Sequence, residues 1–228
     1  MPSFTFHEAI AKEVNKKLEM NEEILLLGSI APDCWRNAKK YGMENRKLSH
    51  FSTLESYDER YWIFYKKYKD ELDNPFVMGY LIHLMSDYYW RKMVTDKIKI
   101  FIDGKLYYRN KDGSLYDVSN NKDSLKYENY NIHGLDSKLF AYYKLKEIKH
   151  IENIEGLNNP IEELDLTGLN DTIDYANRML KMNRSYPTPL YDFEDVIKYF
   201  KVISDIIYDE IINSKILERD EYNDSRKK

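Results

Sequence analysis

The sequence predicts a mainly α-helical fold, a multi-helix bundle interrupted by one small β-hairpin or irregular insertion. Three observations lead there. Glycine (8) and proline (6) are scarce in 228 residues, so the chain lacks the turn residues that a fold of many short strands requires. Apolar residues recur every three or four positions through most of it, which is the helical period. From Ile98 to about Asn121 that period gives way to the alternation Lys-Ile-Lys-Ile-Phe-Ile and then to the turn pairs Asp103-Gly104 and Asp112-Gly113. A mass of 27.5 kDa suffices for a sizeable core, and the expectation is one domain over residues 1–228 with a surface insertion at about 98–121.

Phe6, Ile10, Val14 and Leu18 follow Ser3 and Thr5, either of which can cap a helix, so an amphipathic helix is expected over 4–19 with His7 in its first turn. Residues 22–30, EEILLLGSI, predict a short buried helix. It should stop at Ala31-Pro32, because a residue before proline avoids the helical region, leaving Asp33 where a buried element meets a loop. Cys34 to Thr53 is polar and carries His50 near its end, and Ser56 to Tyr68 resumes helical texture. Asn74-Pro75 supplies a cap and a first-turn proline for the most apolar helix, which should run to about Lys97. Beyond the insertion, helices are expected at 134–149, 170–183 and 191–217, and the charged last dozen residues are expected to fray.

The charge balance excludes some functions. Thirty-five basic and 39 acidic residues are spread along the chain, for a formal charge of −4 and a pI near 5.8. No basic stripe runs along it, so stable nucleic-acid binding is not expected. The single cysteine, Cys34, rules out an intrachain disulfide and is expected to be a small buried thiol. The longest nearly apolar stretch, Ile24 to Pro32, falls short of the roughly 20 residues that cross a bilayer. The first residues show neither a basic n-region nor an apolar h-region, so no signal peptide and a cytoplasmic location are expected.

Five histidines are present. Three of them, His7, His50 and His83, lie within or beside apolar helices, and His83 and Asp87 project from one helical face because they are four apart. Imidazole and carboxylate together suit zinc, with manganese or iron also compatible. Alone, an HxxxD pair is a weak signal. Tyr80, Trp90 and Arg91 lie three or four positions from that pair, so Tyr80 and Arg91 are candidate substrate-binding residues at a site mouth. His133, in Asn-Ile-His-Gly, is a weaker candidate ligand in a loop, and His150 reads as a surface residue at a charged helix end.

Four stretches, FHEAIA at 6–11, LLLGSIAPD at 25–33, SHF at 49–51 and GYLIHLMSDYYW at 79–90, carry a resemblance over roughly the first 95 residues. In that order they resemble the zinc-dependent phospholipase C family and its relatives among zinc-dependent single-strand nucleases. The resemblance implies a phospholipase C-like helical fold in which Asp33, His50, His83 and Asp87 enclose one zinc and Asp87 bridges to a second ion held by His7. It implies phosphate-ester hydrolysis by metal-bound hydroxide, Asp33 being the catalytic carboxylate, with a small phosphate ester or phospholipid head group as substrate. The chain departs from the family pattern after Asp87, where the histidines of a third zinc are not matched, so one or two ions are expected. The alternative is a non-catalytic helical protein whose ion only ties helices together.

Overall fold

The computed structural model describes residues 3–37, 43–52, 60–152, 159–182 and 187–213, in which the chain is mainly helical with one three-stranded antiparallel sheet. Helix α1 (Phe4–Leu18) starts behind Ser3, whose hydroxyl accepts from the Phe6 amide, while Thr5 lies inside the helix. It ends at Glu19, which takes a left-handed φ of 55°. Helix α2 (Glu22–Ile30) is capped by Asn21, whose side chain accepts from the Ile24 amide at 3.2 Å, with Glu22 and Glu23 favourably placed in the first turn. It runs straight into a 3₁₀ turn (Ala31–Arg36) with Pro32 at its start. This corrects the loop expected at Asp33: a proline is tolerated in a first turn, where its missing N–H needs no partner.

Helix α3 (Met43–Ser49) leads to His50. Helix α4 (Tyr61–Tyr68) accounts for part of the segment expected from Ser56, of which residues 56–59 lie outside the described residues. Asn74 accepts from the Phe76 amide at 2.9 Å and opens helix α5 (Pro75–Trp90), buried on nearly every side. A π-helical turn (Arg91–Thr95) and the short α6 (Asp96–Ile98) prolong it.

The insertion is a meander of β1 (Lys99–Ile102), β2 (Lys105–Arg109) and β3 (Leu115–Asp117). Asp103 and Gly104 both have positive φ, 50° and 77°, as a two-residue hairpin turn requires. Helix α7 (Asn121–His133) follows, where no helix was expected, and His133 is its last residue instead of a loop residue. The reason is that α7 buries polar groups: Thr95 donates to Glu128 at 2.7 Å, Tyr108 and Ser124 share a hydrogen bond of 2.8 Å, and the Leu190 amide donates to Asn131 at 2.9 Å. A helix satisfied in this way leaves no apolar period to read.

Helix α8 (Asp136–Tyr143) ends at left-handed Lys144, short of the expected 149. The backbone beyond it is held by side-chain amides, Asn177 to Ile148 and Asn170 to Ile151. His150 therefore lies outside any helix and pairs with Asp174 at 2.6 Å. Helices α9 (Leu169–Lys181) and α10 (Phe193–Ile212) complete the bundle. Residues 183 and 214–228, including the charged tail, lie outside the described residues.

Helices α1, α2, α4 and α10 pack around α5, and the buried apolar side chains form one cluster. The α2–α5 contact is closest. A Cβ on Gly28 would stand 2.1 Å from the Phe76 carbonyl oxygen, and one on Gly79 would stand 2.1 Å from that of Leu25. Only glycine fits either position, and the approach brings the backbone of Ser29 against His83. Among the described residues, no helix is long and apolar enough to cross a membrane.

Candidate metal centre

Four elements meet at one buried point. Helix α1 brings His7, the 3₁₀ turn brings Asp33, the end of α3 brings His50, and α5 brings His83 and Asp87, all of them buried. The five residues that the sequence singled out as ligands thus face one another. His50 Nε2 lies 3.4 Å from His83 Nε2, 3.7 Å from Asp33 Oδ1 and 3.8 Å from Asp87 Oδ2. His83 Nε2 is 3.7 Å from the same Asp87 Oδ2. His7 Nε2 approaches the other oxygen, Asp87 Oδ1, at 3.5 Å.

The outer hydrogen bonds fix the tautomers. His83 Nδ1 is 2.7 Å from the Ser29 carbonyl, which can only accept, so Nδ1 carries the proton. His50 Nδ1 faces the Arg46 carbonyl at 3.1 Å and must likewise donate. Ser86 spends its single proton on the His83 carbonyl, so the 2.8 Å contact from His7 Nδ1 is a donation to Ser86 Oγ. All three Nε2 atoms are therefore bare lone pairs aimed inward. This is how outer-shell partners orient histidine ligands.

Bare nitrogens and carboxylates are a poor way to fill a core. His7 Nε2 and both oxygens of Asp87 have no hydrogen-bond partner, and a buried polar atom so placed costs about 1–3 kcal/mol, more when charged. Burial holds the His7 and His50 imidazoles well below their ordinary pKa, so neither is a cation that could neutralise the carboxylates. Burial pushes Asp87 up. Burial also opposes ionisation of Asp33, but the Arg36 guanidinium prevails and holds it below the usual carboxylate range. The two aspartates differ in their donors: Asp33 Oδ1 accepts from Arg36 Nε at 3.4 Å and from Trp35 Nε1 at 3.3 Å, whereas Asp87 accepts from none.

The donors fit a divalent ion. A tetrahedral centre with bonds of about 2.0–2.1 Å sets its donors about 3.3–3.4 Å apart, and the four distances around His50 and His83 run from 3.4 to 3.8 Å. Among the described residues, two triads have ligand atoms mutually close enough to share an ion, Asp33 with His50 and His83, and His7 with His83 and Asp87. They overlap at His83, which has one free nitrogen and can serve only one ion. Asp87 turns one oxygen to each side.

The remaining candidates fall elsewhere. Tyr80 is fully buried and its hydroxyl donates to the Ser49 carbonyl, so it braces the segment carrying His50 and lines no mouth. Arg91 sits over the Tyr88 ring, 5.9 Å from its centroid, with Asp96 and Arg46 as its charged neighbours. Trp90 packs into the core against Phe6 and Phe200. His133 Nδ1 donates to Asp136 Oδ2 at 2.8 Å and is in neither triad. Cys34 is buried, as expected.

Sequence reasoning missed Arg36, Ser29 and Ser86. Arg36 and Ser86 stand three positions beyond a ligand on a helical turn, a spacing that places side chains together. Ser29 acts through its carbonyl, which leaves no mark in a sequence. Comparison with protein-family models, curated proteins and solved structures found no match to the chain.

Proposed function

We propose that this protein binds one divalent transition ion, zinc being the best fit and manganese or iron compatible, through Asp33, His50, His83 and Asp87, and uses it to hydrolyse a small phosphate ester. The observation that carries the reading is Asp87, a buried carboxylate with two unpartnered oxygens among three inward imidazole lone pairs. When bound, zinc lowers the pKa of water to about 7 in favourable sites and polarises a phosphoryl oxygen. The resemblance to zinc-dependent phospholipases C supports the same chemistry, with a phospholipid head group as one form of the ester. His7 and the second oxygen of Asp87 offer two donors to a further ion.

The chain's own groups supply positioning and proton transfer. Asp33, kept ionised by Arg36, accepts the proton of the attacking water. Arg36 is 42% exposed along its side chain and lies over the Trp35 ring, 5.4 Å from its centroid. It is a cation beside the site that reaches solvent, and a guanidinium matches two phosphate oxygens at once.

The burial of all five donors favours a second reading, an ion that only ties α1, the 3₁₀ turn, α3 and α5 together, since structural sites are closed. Turnover separates the two. Protein carrying near-stoichiometric zinc should hydrolyse bis-p-nitrophenyl phosphate, and Asp33→Asn should lower kcat by about 10²–10⁴-fold, the contribution of a positioned general base. Full activity in Asp33→Asn with metal retained contradicts the mechanism, and a loaded wild type without turnover leaves the structural ion.

A further inference from the structure

We propose that the cavity walled by Trp35 and Ser49 seats the organic group of the phosphate ester, and that it admits groups bearing no negative charge. The inference rests on the hydrolase reading above and narrows its substrate class. The cavity has a volume of about 290 Å³, and two of its walls touch the metal centre. Trp35 Nε1 donates to Asp33 Oδ1 at 3.3 Å, and Ser49 Oγ lies 2.9 Å from His50 Nδ1. Arg36, the guanidinium that would meet the phosphate, lies over the Trp35 ring, 5.4 Å from its centroid. One 3₁₀ turn thus carries the general base, the cavity wall and the phosphate's cation at positions 33, 35 and 36. A phosphoryl group held between the ion and Arg36 has this cavity as its neighbour, so its organic group comes to rest there. Because the donors are buried, the ester reaches the ion only when the indole turns aside from Asp33.

The lining sets the class of that group. Leu48 and Leu164 add apolar surface beside the indole, while Asn45 and Ser49 add hydrogen-bonding groups, a mixture suited to a ring or short chain with few polar atoms. Glu162, Glu163 and Asp165 complete the lining, and among the described residues no basic side chain joins them. Lys67 bridges Glu162 at 2.8 Å and Glu163 at 2.7 Å, and Arg36 serves Asp33 and the phosphoryl group. Asp165 accepts from the Thr167 amide and hydroxyl. Pairing with Lys67 lowers the local negative charge but leaves that lysine engaged. A carboxylate or second phosphate on the organic group would therefore enter among carboxylates with no cation in the lining to receive it, which is how a site discriminates by repulsion.

The test is isothermal titration calorimetry of the zinc-loaded full chain with phenylphosphonate and with 4-carboxyphenylphosphonate, unreactive probes that differ by one negative charge. Phenylphosphonate should bind about tenfold more tightly than the carboxylated probe, the scale of one like-charge contact near a protein surface. Leu48→Trp fills the cavity from an exposed position and should weaken phenylphosphonate about tenfold or more. Glu162→Lys, also at an exposed side chain, should narrow the preference between the probes. Zinc content and circular dichroism of both variants should match the wild type, which separates loss of the cavity from loss of the ion or the fold. Equal affinity for the two probes overturns the proposal, as do no binding of phenylphosphonate, binding undiminished in Leu48→Trp and a preference unaltered in Glu162→Lys. The expected binding pattern in a protein that turns over no phosphate ester supports the cavity's role and counts against hydrolysis alone.

Discussion

Near the C-terminal end of helix α5 two carboxylates are buried almost equally, Asp87 at 3% exposure and, on α10 beside Tyr89, Glu210 at 5%. Their surroundings are opposite. Glu210 accepts hydrogen bonds from Tyr61 at 3.1 Å and from Tyr89, whose hydroxyls also lie 3.3 Å from each other. Asp87 has no donor on either oxygen and faces imidazoles whose protons point away. A carboxylate kept for structure is given donors. One surrounded by lone pairs could hold a cation, which is the reading proposed above.

Glu8 sharpens the contrast. It too is buried with unpartnered oxygens, but burial, with Asp136 adding to it, pushes its pKa up to about 8, so near neutrality it is held mostly as an uncharged acid. No imidazoles converge on it. What distinguishes Asp87 is therefore its company, more than its burial.

Several changes should break or sharpen this comparison. The largest loss of stability is expected at the satisfied carboxylate: Glu210→Leu withdraws the acceptor of two buried hydroxyls and should cost about 2–4 kcal/mol in urea unfolding. Gly79→Ala should come next, at about 2–3 kcal/mol, because its methyl would collide with the Leu25 backbone. The same shift would move Ser29 from His83, so this variant should also hold zinc less tightly, whereas Glu210→Leu should not. The smallest effect concerns Arg36. Arg36→Met should leave zinc content unchanged and lower kcat/KM for a phosphate diester by about 10–100-fold, the loss of one charge-assisted contact. Reduced zinc content in that variant would instead make Arg36 a support of Asp33 only.

Much of the first half of the fold was legible because its signals are local. Ser3, Asn74 and Pro75 act within a turn, and α1, α2 and α5 bury apolar side chains at helical spacing. The meander announced itself through Asp103-Gly104 and its alternation. Helix α7 was not legible, since Ser124, Glu128 and Asn131 occupy its buried face. The early end of α8 depends on Asn170 and Asn177 of a helix far along the chain.

For the site, the five candidate donors were legible through the family resemblance, whose four stretches carry them in order; the four-residue spacing of His83 and Asp87 would not have shown them by itself. Their supports were not, because Ser29 acts through a carbonyl and Tyr80 turned out to brace Ser49 instead of facing a substrate. Arg36 stood in plain sight, three residues from Asp33. Its significance needed the contrast between the two aspartates.

The central claim is that Asp87 is held unsatisfied for an ion, and it is tested most directly by thermal unfolding of wild type and Asp87→Asn, each in chelator and with stoichiometric zinc. A ligand that binds only the folded state raises the midpoint in proportion to ln(1 + [L]/Kd). The wild type should gain several degrees with zinc. Asp87→Asn should gain little, and in chelator it should be at least as stable as wild type, since the substitution removes a buried charge that has no partner. A wild type indifferent to zinc, together with an Asp87→Asn variant destabilised in chelator, would show that Asp87 serves the fold as Glu210 does.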